Sequence, residues 1–303
     1  MALMASRVPL SMRLINRADR LAGPLLAPGV NVVLPMVARA GHGVGHRVLR
    51  NLVYKDAGDR PLRLDIYLPR QDGPHPVLVG FHGGAWTLGR KENIGHQAAA
   101  FARAGFLTAV VQYRLAPRHR WPACGDDVAA ALAWLHREAP SFGGDAGRVG
   151  VFGDSAGGHL SAWAAVAPQP DGLALPAVAA AVHWYGVFDF PGFARVSYHR
   201  TPQIMRNLFG AEWASSLLPE QASPLRYVDA AKPAPPTLLH VGTRDPLLGQ
   251  SRRYAEALHM AGHHGRLVEY RGSVHGFANL WWQADARAAM RASIEWFGSH
   301  LAG

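Results

Sequence analysis

The chain has 303 residues, 49% hydrophobic and 17% charged, enough apolar content to bury a large core and to exclude a disordered chain. Its 33 Gly and 22 Pro follow no triplet period, which excludes a collagen-like chain. The formal net charge is +10, of which +6 falls in the first 50 residues, where seven Arg face only Asp19. The body carries no basic stripe with interleaved aromatics, so nucleic acid is not expected as a partner.

Residues 1–45 read as a basic, apolar arm. Its stretch 21–40 is broken by Pro24, Pro28, Pro35 and Arg39, a poor pattern for a membrane span or a leader. The arm is instead a candidate cap, or a peripheral contact with an acidic membrane surface. Cys124 is the lone cysteine, so no intrachain disulfide or Cys-based zinc cluster can form, and it reads as a packing residue. A cytoplasmic location fits this cysteine usage. A homodimer is kept as an expected assembly.

Residues 46–54 and 61–69 flank a turn-rich DAGDR and predict an antiparallel hairpin. Alternation then begins. Strands are expected at 76–82, 106–113, 148–154, 177–186, 237–242 and 266–270. Helices are expected at 93–104, 125–138, 156–166, about 250–261 and 284–301. Short apolar runs separated by helices predict an α/β fold, a mostly parallel sheet covered on both faces. Residues 187–236 interrupt the rhythm with Pro, aromatics and Arg, and read as an insertion over a site.

Gly153-Asp154-Ser155-Ala156-Gly157 fits G-x-S-x-G, directly after a strand and opening a helix. That is the setting of a nucleophile elbow, with Ser155 raised above the sheet's carboxyl edge and a helix N-terminus behind it. His82-Gly83-Gly84-Ala85-Trp86 follows the strand 76–82. Its glycines let backbone N–H groups approach an oxyanion, so Gly83, Gly84 and Ala156 are the expected donors. A serine nucleophile needs a base, and the base an orienting acid. In chain order after Ser155, Asp245 lies just past the strand 237–242 and His275 on the loop after 266–270. Asp189 is the rival acid. His82, His159, His183, His240, His263 and His264 are rivals for the base, each placed in a glycine loop, inside a helix or strand, or on the wrong edge. Arg114 and Asp127 are expected to pair beneath the oxyanion turn. Trp86, Asp154, Trp184, Tyr185 and Phe188 are candidate substrate-pocket residues, with Trp281 and Trp282 nearby.

HGGAW (82–86), YRLAP (113–117), WPA (121–123) with Asp127, GDSAGG (153–158), RDPL (244–247) and HGF (275–277) together resemble the α/β-hydrolase superfamily. Within it they resemble the hormone-sensitive-lipase-like bacterial carboxylesterases. LDIYLP (64–69) and Gln250-Ser251 also resemble feruloyl and acetyl-xylan esterase-like members. The resemblance covers roughly 46–300. It implies an α/β-hydrolase fold and hydrolysis of small-molecule esters, often short-chain, with no metal or organic cofactor. It assigns Ser155 as nucleophile, His275 as base then acid, and Asp245 as orienting acid. It also implies a cap built partly from the N-terminus and the 187–236 insertion. Many relatives carry a second acid four residues after the catalytic Asp, where this chain has Gly249. A formyl-amide hydrolase of the kynurenine-formamidase type and a non-catalytic binding module are the alternatives.

Overall fold

A computed structural model describes residues 45–168, 173–196 and 200–302. The expectations placed on residues 1–44 (cap, membrane contact, leader) lie outside the described residues. Among those described, no helix is long and apolar enough to cross a membrane.

Eight strands form one sheet: β1 (His46–Asp56), β2 (Pro61–Pro69), β3 (His75–Phe81), β4 (Leu107–Val111), β5 (Gly144–Asp154), β6 (Val178–Trp184), β7 (Thr237–Gly242) and β8 (Gly265–Tyr270). Their order is β1-β2-β4-β3-β5-β6-β7-β8. The β1–β2 hairpin pairs antiparallel, and β2 meets β4 antiparallel. From β4 to β8 every pairing is parallel. The expected hairpin and six further strands are thus all present, and the hairpin closes one edge of the parallel part.

The helices are α1 (Gly95–Arg103), α2 (Ala123–Glu138), α3 (Ala156–Val166), α4 (Phe190–Phe193), α5 (Thr201–Phe209), α6 (Leu218–Gln221), α7 (Leu248–Met260) and α8 (Ala284–His300). Strand side chains alternate between faces. Val77, Val79, Phe81, Val149 and Val151 therefore join Val128, Leu132 and Leu135 of α2 and Leu160 of α3 in one core. Leu78, Val110, Phe152, Val182 and Trp184 meet Phe101 of α1 and Phe297 of α8 in the other. Both faces are covered, which explains the largely apolar, buried runs of β3, β4 and the second half of β5.

The 187–236 insertion holds α4, α5, α6 and two short 3-10 turns, with no strand among its described residues. Phe190, Phe193, Met205, Leu208 and Phe209 carry it onto the α2–α3 core. Phe190 stands 5.1 Å from the Trp86 ring, centre to centre, and 4.9 Å from that of Phe209. The insertion is thereby seated beside the glycine loop that follows β3.

Arg114 closes the loop after β4. Its Nε donates to Asp127 Oδ2 at 2.9 Å and its backbone N–H does the same at 2.9 Å. Lys55 Nζ lies 2.7 Å from Oδ1 of the same fully buried carboxylate. The expected Arg114–Asp127 pair is therefore a three-way junction that also holds β1.

Candidate active site

Ser155 caps α3 at φ 54°, ψ −115°, a strained backbone for a non-glycine residue. Its N–H donates to the Trp184 carbonyl at 2.9 Å. The turn is so tight that a Cβ on Gly153 would stand 2.2 Å from the Gly157 carbonyl oxygen. One on Gly157 would stand 1.9 Å from that of Phe81. The motif's glycines are therefore demanded by backbone proximity.

The loops after β5, β7 and β8 bring three side chains together. His275 Nε2 lies 2.9 Å from Ser155 Oγ, and His275 Nδ1 lies 2.9 Å from Asp245 Oδ2. Asp245 is buried, and its Oδ1 accepts the Leu247 N–H at 2.8 Å. An ionised carboxylate only accepts, so Nδ1 carries the imidazole proton and Nε2 is left to accept from the serine. The β7 and β8 loops are stitched by Arg244 N–H to the Ser273 carbonyl at 3.0 Å and Gly272 N–H to Thr243 Oγ1 at 2.9 Å. Burial opposes charging His275, but the Asp245 charge and hydrogen bond, with Asp154 behind them, outweigh it and hold the imidazole above its ordinary value. The His275 side chain keeps 36% exposure, so it is open to a substrate.

The rivals are elsewhere. Asp189 reaches Arg253 at 3.4 Å. Burial pushes His82 and His159 down to about 4 and His183 and His240 to about 3. His159 bridges Trp86 Nε1 and the Ala222 carbonyl, and His183 bonds Ser161.

The glycine loop after β3 differs from expectation by one residue. Gly83 N–H donates to Asp154 Oδ1 at 2.7 Å, so it is not available to an oxyanion. Gly84, Ala85 and Ala156 N–H groups donate to no acceptor among the described residues. Gly84 at φ 123° and Ala85 at φ 50° form the turn that presents consecutive N–H groups. The free N–H groups of this loop are therefore those of Gly84 and Ala85, where Gly83 and Gly84 were expected. The loop is braced by Tyr113, whose hydroxyl donates to the His82 carbonyl at 2.7 Å and whose ring stacks on that imidazole.

Three of the candidate pocket residues serve other ends. Trp184 points to the α1–α8 face, against Phe101 and Phe152. Phe188 stacks on Tyr254 of α7, ring centres 4.4 Å apart. Asp154 is committed to backbone and amide donors. Tyr185 does touch the triad, its ring 4.8 Å from that of His275. Trp86 is buried against His159 and Phe190. Trp281 lines a cavity of about 280 Å³ between α1 and α8 that contains none of the three triad residues.

Sequence reasoning gave Gln250 no role beyond a resemblance, and it missed Asn279. Gln250 Oε1 accepts the N–H groups of Phe188 and Asp189 at 3.0 and 2.8 Å, tying the insertion's start to α7. Asn279 Nδ2 donates to Asp154 Oδ2 at 2.8 Å. Only its spacing, four residues past His275, could have drawn notice. Among the described residues no cluster of three or more His, Cys, Asp or Glu could hold a metal ion.

A Ser–His–Asp relay beside free N–H groups on a mostly parallel sheet defines a serine-hydrolase type of site. A family model described as "alpha/beta hydrolase fold" matches residues 78–279, and the chain belongs to that family. It is 32% identical over 218 residues to the esterase LipQ of Mycobacterium tuberculosis, covering 68% of this chain and 51% of that protein. It is 33% identical over 249 residues to the carboxylesterase NlhH of the same organism, covering 76% and 75%. The chain spans about half the length of LipQ and of the probable carboxylic ester hydrolase LipM. Among solved structures, a hyperthermophilic esterase from Pyrobaculum calidifontis is similar at a TM-score of 0.79 and 26% identity, covering 96% of this chain and 97% of that one. A propionate-bound esterase from Thermogutta terrifontis matches at 0.71 and 26%, covering 86% and 97%.

Proposed function

We propose that the chain is a serine carboxylester hydrolase acting on small-molecule esters of short to medium acyl length through an acyl-enzyme on Ser155. The observation that carries this reading is the continuous relay Asp245–His275–Ser155 at 2.9 Å per link. The esterase relatives support the ester bond rather than the formyl amide. The propionate named for the Thermogutta neighbour supports a short acyl group.

In this mechanism His275 Nε2 takes the hydroxyl proton as Oγ attacks the ester carbonyl. The developing oxyanion receives the N–H groups of Gly84, Ala85 and Ala156, each worth about 3 kcal/mol in the transition state. His275 then gives its proton to the leaving alkoxide, and the acyl group remains on Ser155. Water enters by the same proton path and releases the acid. Asp245 keeps the ring in the tautomer that leaves Nε2 free. The 187–236 insertion, seated on Trp86, forms part of the cap that bounds the acyl group.

Hydrolysis of p-nitrophenyl esters from acetyl to dodecanoyl, with Ser155→Ala as control, tests the proposal. Turnover that peaks at short chains and vanishes in a folded Ser155→Ala protein is expected. Equal activity in that variant, or no activity on any ester, overturns it.

A further inference from the structure

We propose that Asn279 is a positioning residue for the oxyanion loop, acting through Asp154: its amide holds the Asp154 carboxylate, and that carboxylate fixes the turn that frees Gly84 and Ala85. The inference rests on the reading of Ser155 as nucleophile.

Four segments meet at this buried cluster. Gly83 follows β3, Asp154 ends β5, Gln97 sits on α1, and Asn279 lies in the 3-10 turn Phe277–Asn279 one turn past His275. Asp154 Oδ1 accepts the Gly83 N–H at 2.7 Å and Oδ2 accepts Asn279 Nδ2 at 2.8 Å. Asn279 Oδ1 accepts Gln97 Nε2 at 2.8 Å. Asn279, Asp154 and Gln97 are 6%, 5% and 1% exposed.

The polarity of this chain is forced. A carboxylate can only accept, so Asn279 must offer it the NH₂, and its oxygen must then face the NH₂ of Gln97. No Lys or Arg forms an ion pair with Asp154 among the described residues. Burial pushes the Asp154 carboxyl up, and the Asn279 amide, the Gly83 N–H and the nearby His275 act against that, so losing the amide leaves a buried lone pair unsatisfied. Because Gly83 precedes the two expected donors Gly84 and Ala85, a shift of Asp154 moves them directly. Because Asn279 follows His275, the same amide couples the base's loop to the oxyanion's loop.

Exchanging the two side chains tests this. Asn279→Asp sets two carboxylates face to face. Asp154→Asn can keep an oxygen for Gly83 but sets two NH₂ groups face to face. The double exchange restores the three short bonds of the cluster: the new amide at 154 keeps an oxygen for Gly83 and donates to the new carboxylate at 279, whose second oxygen still accepts from Gln97, while the longer contact of Asn279 Nδ2 with the Tyr185 hydroxyl at 3.5 Å is reversed. With p-nitrophenyl butyrate, each single exchange should lower kcat at least about tenfold, with KM within about twofold. The Ki of a trifluoromethyl ketone that adds to Ser155 should weaken in parallel, since it reports oxyanion binding. The double exchange should recover to within about threefold of wild type, on the scale of one donor's worth. Wild-type kcat in a folded Asn279→Asp protein, or a double exchange no better than the worse single, overturns the inference. Should the exchanges fail to fold, Asn279→Ala decides, and wild-type kcat there overturns it equally. A wild-type chain inactive on the ester, or active after Ser155→Ala, overturns the underlying reading instead.

Discussion

Replacing Asp245 by Asn should cost about 10⁴-fold in kcat while leaving the fold intact. Asp245 serves two donors at once, the imidazole Nδ1–H at 2.9 Å and the Leu247 N–H at 2.8 Å. An amide has one oxygen, so it can satisfy only one. Turning the oxygen to His275 would leave the Leu247 N–H facing an NH₂ group in a buried turn, at about 1–3 kcal/mol. Turning it to Leu247 costs only a tautomer change, since an NH₂ group facing Nδ1 moves the imidazole proton to Nε2. The second arrangement wins, and Nε2 then cannot accept the Ser155 proton. A loss of about 10⁴-fold corresponds to about 5.4 kcal/mol of transition-state stabilisation. The assay is kcat on p-nitrophenyl acetate at neutral pH, with a thermal melt on the same preparation. A folded variant that loses less than about tenfold would refute the reasoning, because the oxygen would then be free to face the imidazole.

Three further outcomes follow from the geometry. As a base His275 must be neutral, and its pKa is raised above the ordinary 6.5. Activity should therefore fall on acidification through a midpoint above 6.5, and a pH profile of kcat/KM with a lower midpoint would contradict this. Gly157→Ala would drive a Cβ to 1.9 Å from the Phe81 carbonyl oxygen, a backbone atom that cannot rotate away. The expected loss is about 3 kcal/mol or more of stability, checked by urea unfolding. Asp127→Asn removes the charge that faces both Arg114 and Lys55. It should destabilise by about 3–5 kcal/mol, lowering Tm by roughly 6–20 °C, and a drop of under about 2 °C in a scanning melt would contradict it.

The triad was legible because each of its members sits at the carboxyl end of a strand whose apolar run is readable, and chain order then brings the three loops to one edge. The elbow glycines were legible for the same local reason. The identity of the free N–H groups was not. Gly83 and Gly84 look alike in sequence, and the difference comes from an Asp154 side chain 71 residues away. Trp184 shares the parity of Val182 and Ala180, which face α1 and α8. Which face of the sheet carries the site depends on the crossovers, so alternation alone could not turn it from the pocket. Phe188 was misplaced because Tyr254, its stacking partner, comes from a helix 66 residues further on. Asn279 belongs to no recognisable motif, since an amide bridging two loops has meaning only once both loops are in place.

The proposed mechanism turns on a covalent acyl intermediate on Ser155. Its most direct test is to quench turnover of a p-nitrophenyl ester in acid within milliseconds and map the acylated peptide by mass spectrometry. One acyl group is expected on the peptide bearing Ser155, absent after Ser155→Ala. Acylation at another residue, or turnover with no acylated peptide at any quench time, would contradict it.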